Sequence, residues 1–378
     1  MVKPEDFAIL PWNVVSGSDQ VYEQIKACGF NLAGFVPPGE LDRVSRAGLK
    51  AIVFDPSTHV SDYEAALDDG EIERRVKALV RQVGGYPSVF GYYLRDEPGS
   101  TLFQGLSRWK AAYKTAAPQA LAYINLFPNY ASQAQMGAGN YDAYIETYIE
   151  TVHPDVICYD HYAMMDDGSI RDGYFQNLET VRSASQRHDL PFWNIVLGNA
   201  HFHYAEPSPA TLRFQLYTSL AYGARGISYF TYFAPSTGNY RLAPIDQFGH
   251  QTPTWDMLRN VNLQIQNLGP AYVTLKNKHV FHHPEIPPGS AGLETSSLVA
   301  RLEGGQLLVG EFTSPHGGNY VLVVNKDLQR STSFDIELKQ PGPIQLLNAY
   351  TGQPETWSGE QNWLAPGQGM LLFTAPAT

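Results

Sequence analysis

Residues 71–100 read EIERRVKALVRQVGGYPSVFGYYLRDEPGS, and the order of events along them decides the architecture. Ile72, Val76, Leu79 and Val80 recur at helical spacing, which predicts an amphipathic helix. Gly84-Gly85 supplies its stop. The apolar run Phe90–Leu94 then predicts a buried strand. Arg95, Asp96 and Glu97 arrive together at its far end, and Pro98 forbids a regular ladder beyond them because proline has no N–H to donate. A helix feeding a buried strand that ends in charge is the repeating unit of a parallel α/β sheet.

The same alternation extends in both directions. Further strands are predicted at Phe7–Val15, Asn31–Val36, Ala51–Phe54, Ala122–Phe127, Val156–Tyr162, Phe192–Leu197 and Ile227–Phe233. Between them lie helical patterns such as GLSRWKAAYKTAA, YDAYIETYIETV and TLRFQLYTSLAYGA, several closed by Gly29, Gly48, Pro118 or Gly223. With an eighth helix at WDMLRNVNLQIQNL, this predicts an α/β fold, a (β/α)8 TIM barrel of the usual ~250 residues. An open doubly wound sheet would advertise a glycine-rich phosphate turn after strand one, and WNVVSGSD lacks that spacing. After Leu268-Gly269-Pro270 the pattern changes to short alternating runs separated by Gly, Pro and Asn: SSLVARLEG, QLLVGEFTS, NYVLVVNKD, STSFDIELK. These predict a small antiparallel β-sandwich. The expected division is a barrel over 1–275 and a β-domain over 276–378.

Composition narrows function by exclusion. A chain of 378 residues with 43% hydrophobic content and a net charge of −11 is globular and lacks the basic character of a nucleic-acid partner. No apolar run of ~18 residues predicts a membrane span. MVKPEDFAIL has no signal core, so secretion or a periplasmic location would need a leader already removed, and a cytoplasmic one would not. Cys28 and Cys158 are the only cysteines, without metal or disulfide spacing. No cofactor is implied, and the oligomeric state is not legible. Aromatics at 12% fit either a large core or a surface that stacks on sugar faces.

In a barrel of this type, chemistry sits where strands end. Strand four delivers Asp96 and Glu97; in an extended chain the two point to opposite sides, one toward the barrel axis and one toward a partner such as Arg95. Strand six ends in Tyr159, Asp160, His161 and Tyr162, either as functional groups or as a buried Asp–His brace of the rim. Strand five ends in Asn125, and strand one carries Trp12. Strand seven runs into His201, His203 and Glu206. His-x-His suggests a metal but finds no third ligand at a recognisable spacing, and Glu206 also suits a helix N-terminus. Strand eight contributes Tyr229, Tyr232 and Phe233 as an aromatic floor or wall.

These stretches together resemble the TIM-barrel glycoside hydrolases of clan A, closest to β-galactosidase-like members. Glu97 in LRDEPG, AYGARGISYFTYF (221–233), PTWDMLRNVNLQIQNLGP (253–270) and the C-terminal LAPGQGMLLF carry the resemblance. It implies a carbohydrate substrate and a general acid/base at the end of strand four, which falls on Glu97. The clan places Asn before that Glu, where this chain has Asp96. It places its nucleophile Glu at the end of strand seven, where NIVLGNAHF has no carboxylate. The second carboxyl is then expected from Glu206 or, as second choice, Asp160. Trp12, Asp96, Asn125, Tyr159, His161, Tyr162, His201, His203, Tyr229 and Tyr232 are expected to hold the sugar. The alternatives are a sugar-binding barrel without catalysis, and a metal-dependent hydrolase using His201, His203 and Asp160.

Overall fold

The computed structural model describes residues 6–13, 17–315, 317–340, 342–358 and 361–374. Eight strands form the first unit: β1 (Ala8–Pro11), β2 (Leu32–Val36), β3 (Lys50–Val53), β4 (Val89–Asp96), β5 (Leu121–Leu126), β6 (Ile157–Asp160), β7 (Phe192–Leu197) and β8 (Gly226–Phe230). They pair in parallel in the order β1-β8-β7-β6-β5-β4-β3-β2, the cyclic order of a TIM barrel. Closure between β1 and β2 goes through one residue, Asn31, whose backbone N–H donates to the Ile9 carbonyl at 3.3 Å. Asn31 accepts from the Ile9 N–H at 2.8 Å and donates to the Phe7 carbonyl at 2.7 Å, as a short piece of strand would. Of the strand expected over Phe7–Val15, Val14 and Val15 lie outside the described residues.

Period-two alternation sorts the strands' side chains into two layers. Leu10, Trp12, Ile52, Tyr93, Tyr123, Cys158, Trp193 and Ile195 fill the barrel. Ile9, Ala51, Leu94, Ile124, Tyr159, Val196 and Tyr229 face the surrounding helices. The helix Asp69–Val83 buries Ile72, Val76, Leu79 and Val83, and its N-terminus is capped by Asp68, as its amphipathic pattern requires. Pro209–Ala221 is different: nine of its residues are buried, from Leu212 and Phe214 through Ala221. A helix apolar on every side must be covered on every side, and the second unit supplies the missing cover.

That unit is a sandwich of a three-stranded antiparallel sheet (Val299–Gly304, Thr332–Leu338, Trp363–Leu364) and a six-stranded one that begins with Lys276–His283. Its own core holds Phe281, Leu302, Val309, Val323, Phe334 and Leu372. The opposite face of the larger sheet, with Leu308, Leu322, Val324 and Leu371, joins the barrel's outer core. The fit is close enough that a Cβ on Gly310 would stand 2.2 Å from the Ala221 carbonyl oxygen. The last barrel helix, Pro253–Tyr272, runs through Gly269 and Pro270 and does not stop at them. Pro270 sits in the final turn, where only one helical hydrogen bond is forfeited. Among the described residues no helix is long and apolar enough to cross a membrane.

Candidate active site

The end of β4 departs from regular strand geometry twice. Its register against β5 shifts between Tyr93 and Arg95, and Glu97 adopts a left-handed backbone with φ of 43°. A register shift re-aims the side chains that follow it, and a non-glycine residue at positive φ is held there by its surroundings. Here the hold includes a 2.8 Å hydrogen bond from the Glu97 N–H to the Asn125 carbonyl. The consequence corrects the expectation that Asp96 and Glu97 diverge. Alternation requires extended residues, Glu97 is not extended, and both carboxyls turn toward the ends of β5 and β6.

Asn125, which is buried, stands opposite Asp96 in register. Its side-chain amide donates one hydrogen to Asp96 Oδ1 and the other to Asp160 Oδ1, each at 2.9 Å. Asp160 in turn hydrogen-bonds the Glu97 carboxyl. Three carboxyls from β4 and β6 are thus tied together by one amide from β5. Such a group cannot carry three full charges in a crowded site. Burial foremost, and then the Asp96 charge, push Glu97 up to about 7. Asp160 is driven well above the carboxylate range, by burial first and then by the charges of Glu97 and Asp96. Asp96 is raised too, chiefly by burial, against the pull of Asn125 and Arg95. Of the three it has the most residue surface open to solvent, although its carboxyl is itself closely surrounded by protein.

Aromatic rings surround this group. Trp12 packs edge-on against Phe35 and Tyr93. Tyr162 meets Phe230, His201 and Tyr204 at ring separations of 5.4–5.9 Å. His201 stacks on Tyr240 with 8° between planes, and its Nδ1 lies 3.1 Å from Asn199 Oδ1. Burial, aided by the Arg241 charge, lowers His201 to about 4, so its ring is neutral at pH 7. Tyr130, Arg171, Tyr204 and Tyr240 escaped the sequence reading. They sit in the long loops after β5 to β8, where no periodicity marks orientation.

Several expected site residues are elsewhere. Tyr159 and Tyr229 are fully buried in the outer layer, because each immediately follows or precedes an inward residue of its strand. Tyr232 belongs to the same outer layer and accepts a hydrogen bond from Trp255 Nε1. His161, next after Asp160, packs between Tyr130 and Tyr174; burial, then the Arg171 charge, lowers it to about 3. In an extended segment His201 and His203, two residues apart, would point the same way. Phe202 between them has φ of 46°, so the segment is not extended. His201 is buried, while the His203 side chain is 89% exposed. Among the described residues no three or more His, Cys, Asp or Glu side chains gather as a metal-ligand set. Glu206 is exposed and accepts from Arg241 Nε at 2.9 Å; among the described residues no hydrogen bond or salt bridge joins this ion pair to the β4–β6 carboxyls.

No family model and no curated protein sequence matches the chain. Solved structures do match, glycoside hydrolases among them. A family 5 glycoside hydrolase from Bacteroides vulgatus aligns with a TM-score of 0.63 at 11% identity, covering 98% of this chain and 89% of that one. A catalytic mutant of a family 42 β-galactosidase from G. stearothermophilus gives 0.61 at 8% identity, covering 98% of both. A β-galactosidase from the psychrophilic Marinomonas ef1 gives 0.54 at 10%, where the match spans 71% of this chain and 62% of that one. The fold is therefore that of the clan A glycoside hydrolases, a TIM barrel followed by a β-sandwich. At these identities the likeness is one of architecture.

Proposed function

We propose that the protein hydrolyses O-glycosidic bonds, with the barrel of residues 1–275 as its catalytic unit and Glu97 as general acid/base. The observation that carries this reading is the hydrogen-bonded Glu97–Asp160 pair beside an ionisable Asp96. Glycoside hydrolysis needs a protonated acid at the leaving oxygen and a negative charge facing the sugar ring as it becomes cationic. Glu97, raised to about 7, holds a proton at neutral pH and gives it up readily, as an efficient acid must. Asp160, more deeply buried, hydrogen-bonds the Glu97 carboxylate once Glu97 has passed its proton to the leaving oxygen, and Glu97 recovers a proton from the water that attacks the sugar. Asp96 is solvent-reachable and steadied by Asn125, which suits it to face the positive charge of the transition state. Trp12, Tyr162 and His201 then supply ring faces and polar edges to the sugar.

This assignment prefers carboxyls on β4 and β6 over Glu206, whose charge is already engaged by Arg241 in solvent. The test is Glu97→Gln, assayed on a panel of aryl and natural glycosides. Removal of a positioned acid lowers kcat by about 10²–10⁴-fold, and the loss is greatest for poor leaving groups. Undiminished turnover by Glu97→Gln would remove Glu97 from the role. Saturable sugar binding with no product from the wild type would make the barrel a lectin-like binder.

A further inference from the structure

The wall that begins at Tyr162 continues beyond the three carboxyls to a second polar feature on the rim. Arg171 follows β6 in the loop that precedes the helix Tyr174–His188. Its guanidinium is fixed from three directions. Nε donates to the Tyr162 carbonyl at 3.0 Å, Nη2 donates to the Tyr204 hydroxyl at 3.2 Å, and Cζ lies over the Tyr130 ring, 4.4 Å from its centre. None of these partners is a carboxylate, and among the described residues Arg171 makes no salt bridge. Of the acids of its own loop, Asp167 accepts from Ser169, Asp166 lies 4.0 Å from His203, and Asp172 makes no salt bridge to Arg171. In a chain with 37 acidic and 26 basic residues, this cation has no carboxylate at salt-bridge distance among the described residues.

Arg171 opens onto a cavity of about 550 Å³ shared with Met165, Phe202, His203, Tyr204 and Asn239. Phe202 is the unusual member. Its side chain is 64% exposed, yet its backbone is held in the left-handed region. Asn239 fixes it there from both sides, accepting from the Phe202 N–H at 2.7 Å and donating to the Phe202 carbonyl at 3.0 Å. Strain of this kind persists where neighbouring structure over-determines it, and what is displayed here is a bare phenyl face beside an unneutralised guanidinium. A phenyl face stacks on a sugar ring. A pre-set guanidinium with a free edge recognises a planar or tetrahedral oxyanion in two-point fashion, at little further entropic cost.

We propose that Arg171 and Phe202 form a subsite for an anionic saccharide, a sugar bearing a carboxylate or a sulfate ester, adjacent to the residue cleaved at Glu97. This deepens the glycosidase reading and rests on it for the word "cleaved", although the binding claim can be measured separately.

The test compares three matched oligosaccharide sets, neutral, uronate-containing and sulfated, by kcat/KM with the wild type and by calorimetry with Glu97→Gln. One anionic set is expected to exceed the neutral set by about ten-fold or more, the loss typical of one charge-assisted contact, and which set does so identifies the oxyanion. Arg171→Gln abolishes that preference, Arg171→Lys retains part of it, and the preference weakens with added salt. Phe202→Ala weakens binding of anionic and neutral members alike. A neutral preference, or an Arg171→Gln effect equal on all three sets, overturns the proposal. Absence of turnover with Arg171-dependent anionic binding intact overturns the glycosidase reading and leaves the subsite standing.

Discussion

Replacing Asp96 by Asn tests the electrostatic core of the site with little change in shape. The side chain keeps its size, and its carbonyl oxygen can still accept from Asn125 Nδ2, so the bridge to Asp160 survives. What is lost is one negative charge beside Glu97. That carboxyl rises from 4.5 to about 7, with burial the larger cause and the Asp96 charge the second. The charge therefore accounts for less than the burial does, about one pKa unit, or about 1.4 kcal/mol of preference for the protonated acid. The alkaline limb of kcat/KM, which reports the free enzyme, is expected near pH 7 in the wild type and about one unit lower in Asp96→Asn. Asp160→Asn should not lower it comparably, because Asp160 acts on Glu97 through a hydrogen bond that already favours the ionised form, and an amide can replace that donor. The same shift has a sign in stability. A carboxyl raised on folding favours the folded state below its unfolded value, and this contribution is lost as pH rises through about 7. Glu97→Gln should therefore flatten the decline in Tm between pH 5 and 8, an effect muted by solvent at the open mouth. An alkaline limb that stays put or moves upward in Asp96→Asn would refute the coupling argument.

Three further perturbations probe other parts of the structure. Asn125→Ala strands Asp96 and Asp160 without their shared donor and should lower kcat by about ten-fold or more, while circular dichroism and Tm show the barrel intact. Glu206→Gln breaks an exposed ion pair with Arg241, so stability should change by less than about 1 kcal/mol and kcat/KM by less than about threefold; a loss like that of Glu97→Gln would restore Glu206 as the second carboxyl. Gly310→Ala drives a methyl against the Ala221 carbonyl oxygen at 2.2 Å. It should cost about 1–3 kcal/mol, seen as a lower Tm, and an unchanged Tm would mean the two units are less tightly joined than their packing indicates.

The barrel was legible because its signals are local and redundant. Helix stops at Gly29, Gly48 and Gly223, each with positive φ in the structure, and buried runs such as Leu121–Leu126 and Phe192–Leu197 point to one answer without any long-range contact. The boundaries of β6 and β8 were read too long because Tyr162 and Phe233 are apolar rim residues, and hydrophobicity does not distinguish a rim from a ladder. The outward Tyr159 and Tyr229 were misread for a related reason. A tyrosine near a strand end looks like a mouth residue, but strict alternation from Asp160 and Phe230 turns Tyr159 and Tyr229 outward.

The converging acids lay beyond alternation altogether, and that difference separates the readable from the unreadable part of the site. Period two says that adjacent residues diverge, and at Asp96-Glu97 this is wrong because the register slips after Tyr93 and the backbone at Glu97 turns left-handed. Neither event has a glycine or other local mark; Pro98 ends the ladder without setting the φ before it. The geometry is imposed by β5, through the Asn125 carbonyl that receives the Glu97 N–H and the Asn125 amide that spans Asp96 and Asp160. A single asparagine thus fixes both the backbone and the carboxyls around it. Each of the residues it organises was visible as a candidate on its own strand. What the linear pattern lacked was the contact across β4, β5 and β6 that makes three separate acids one titrating group.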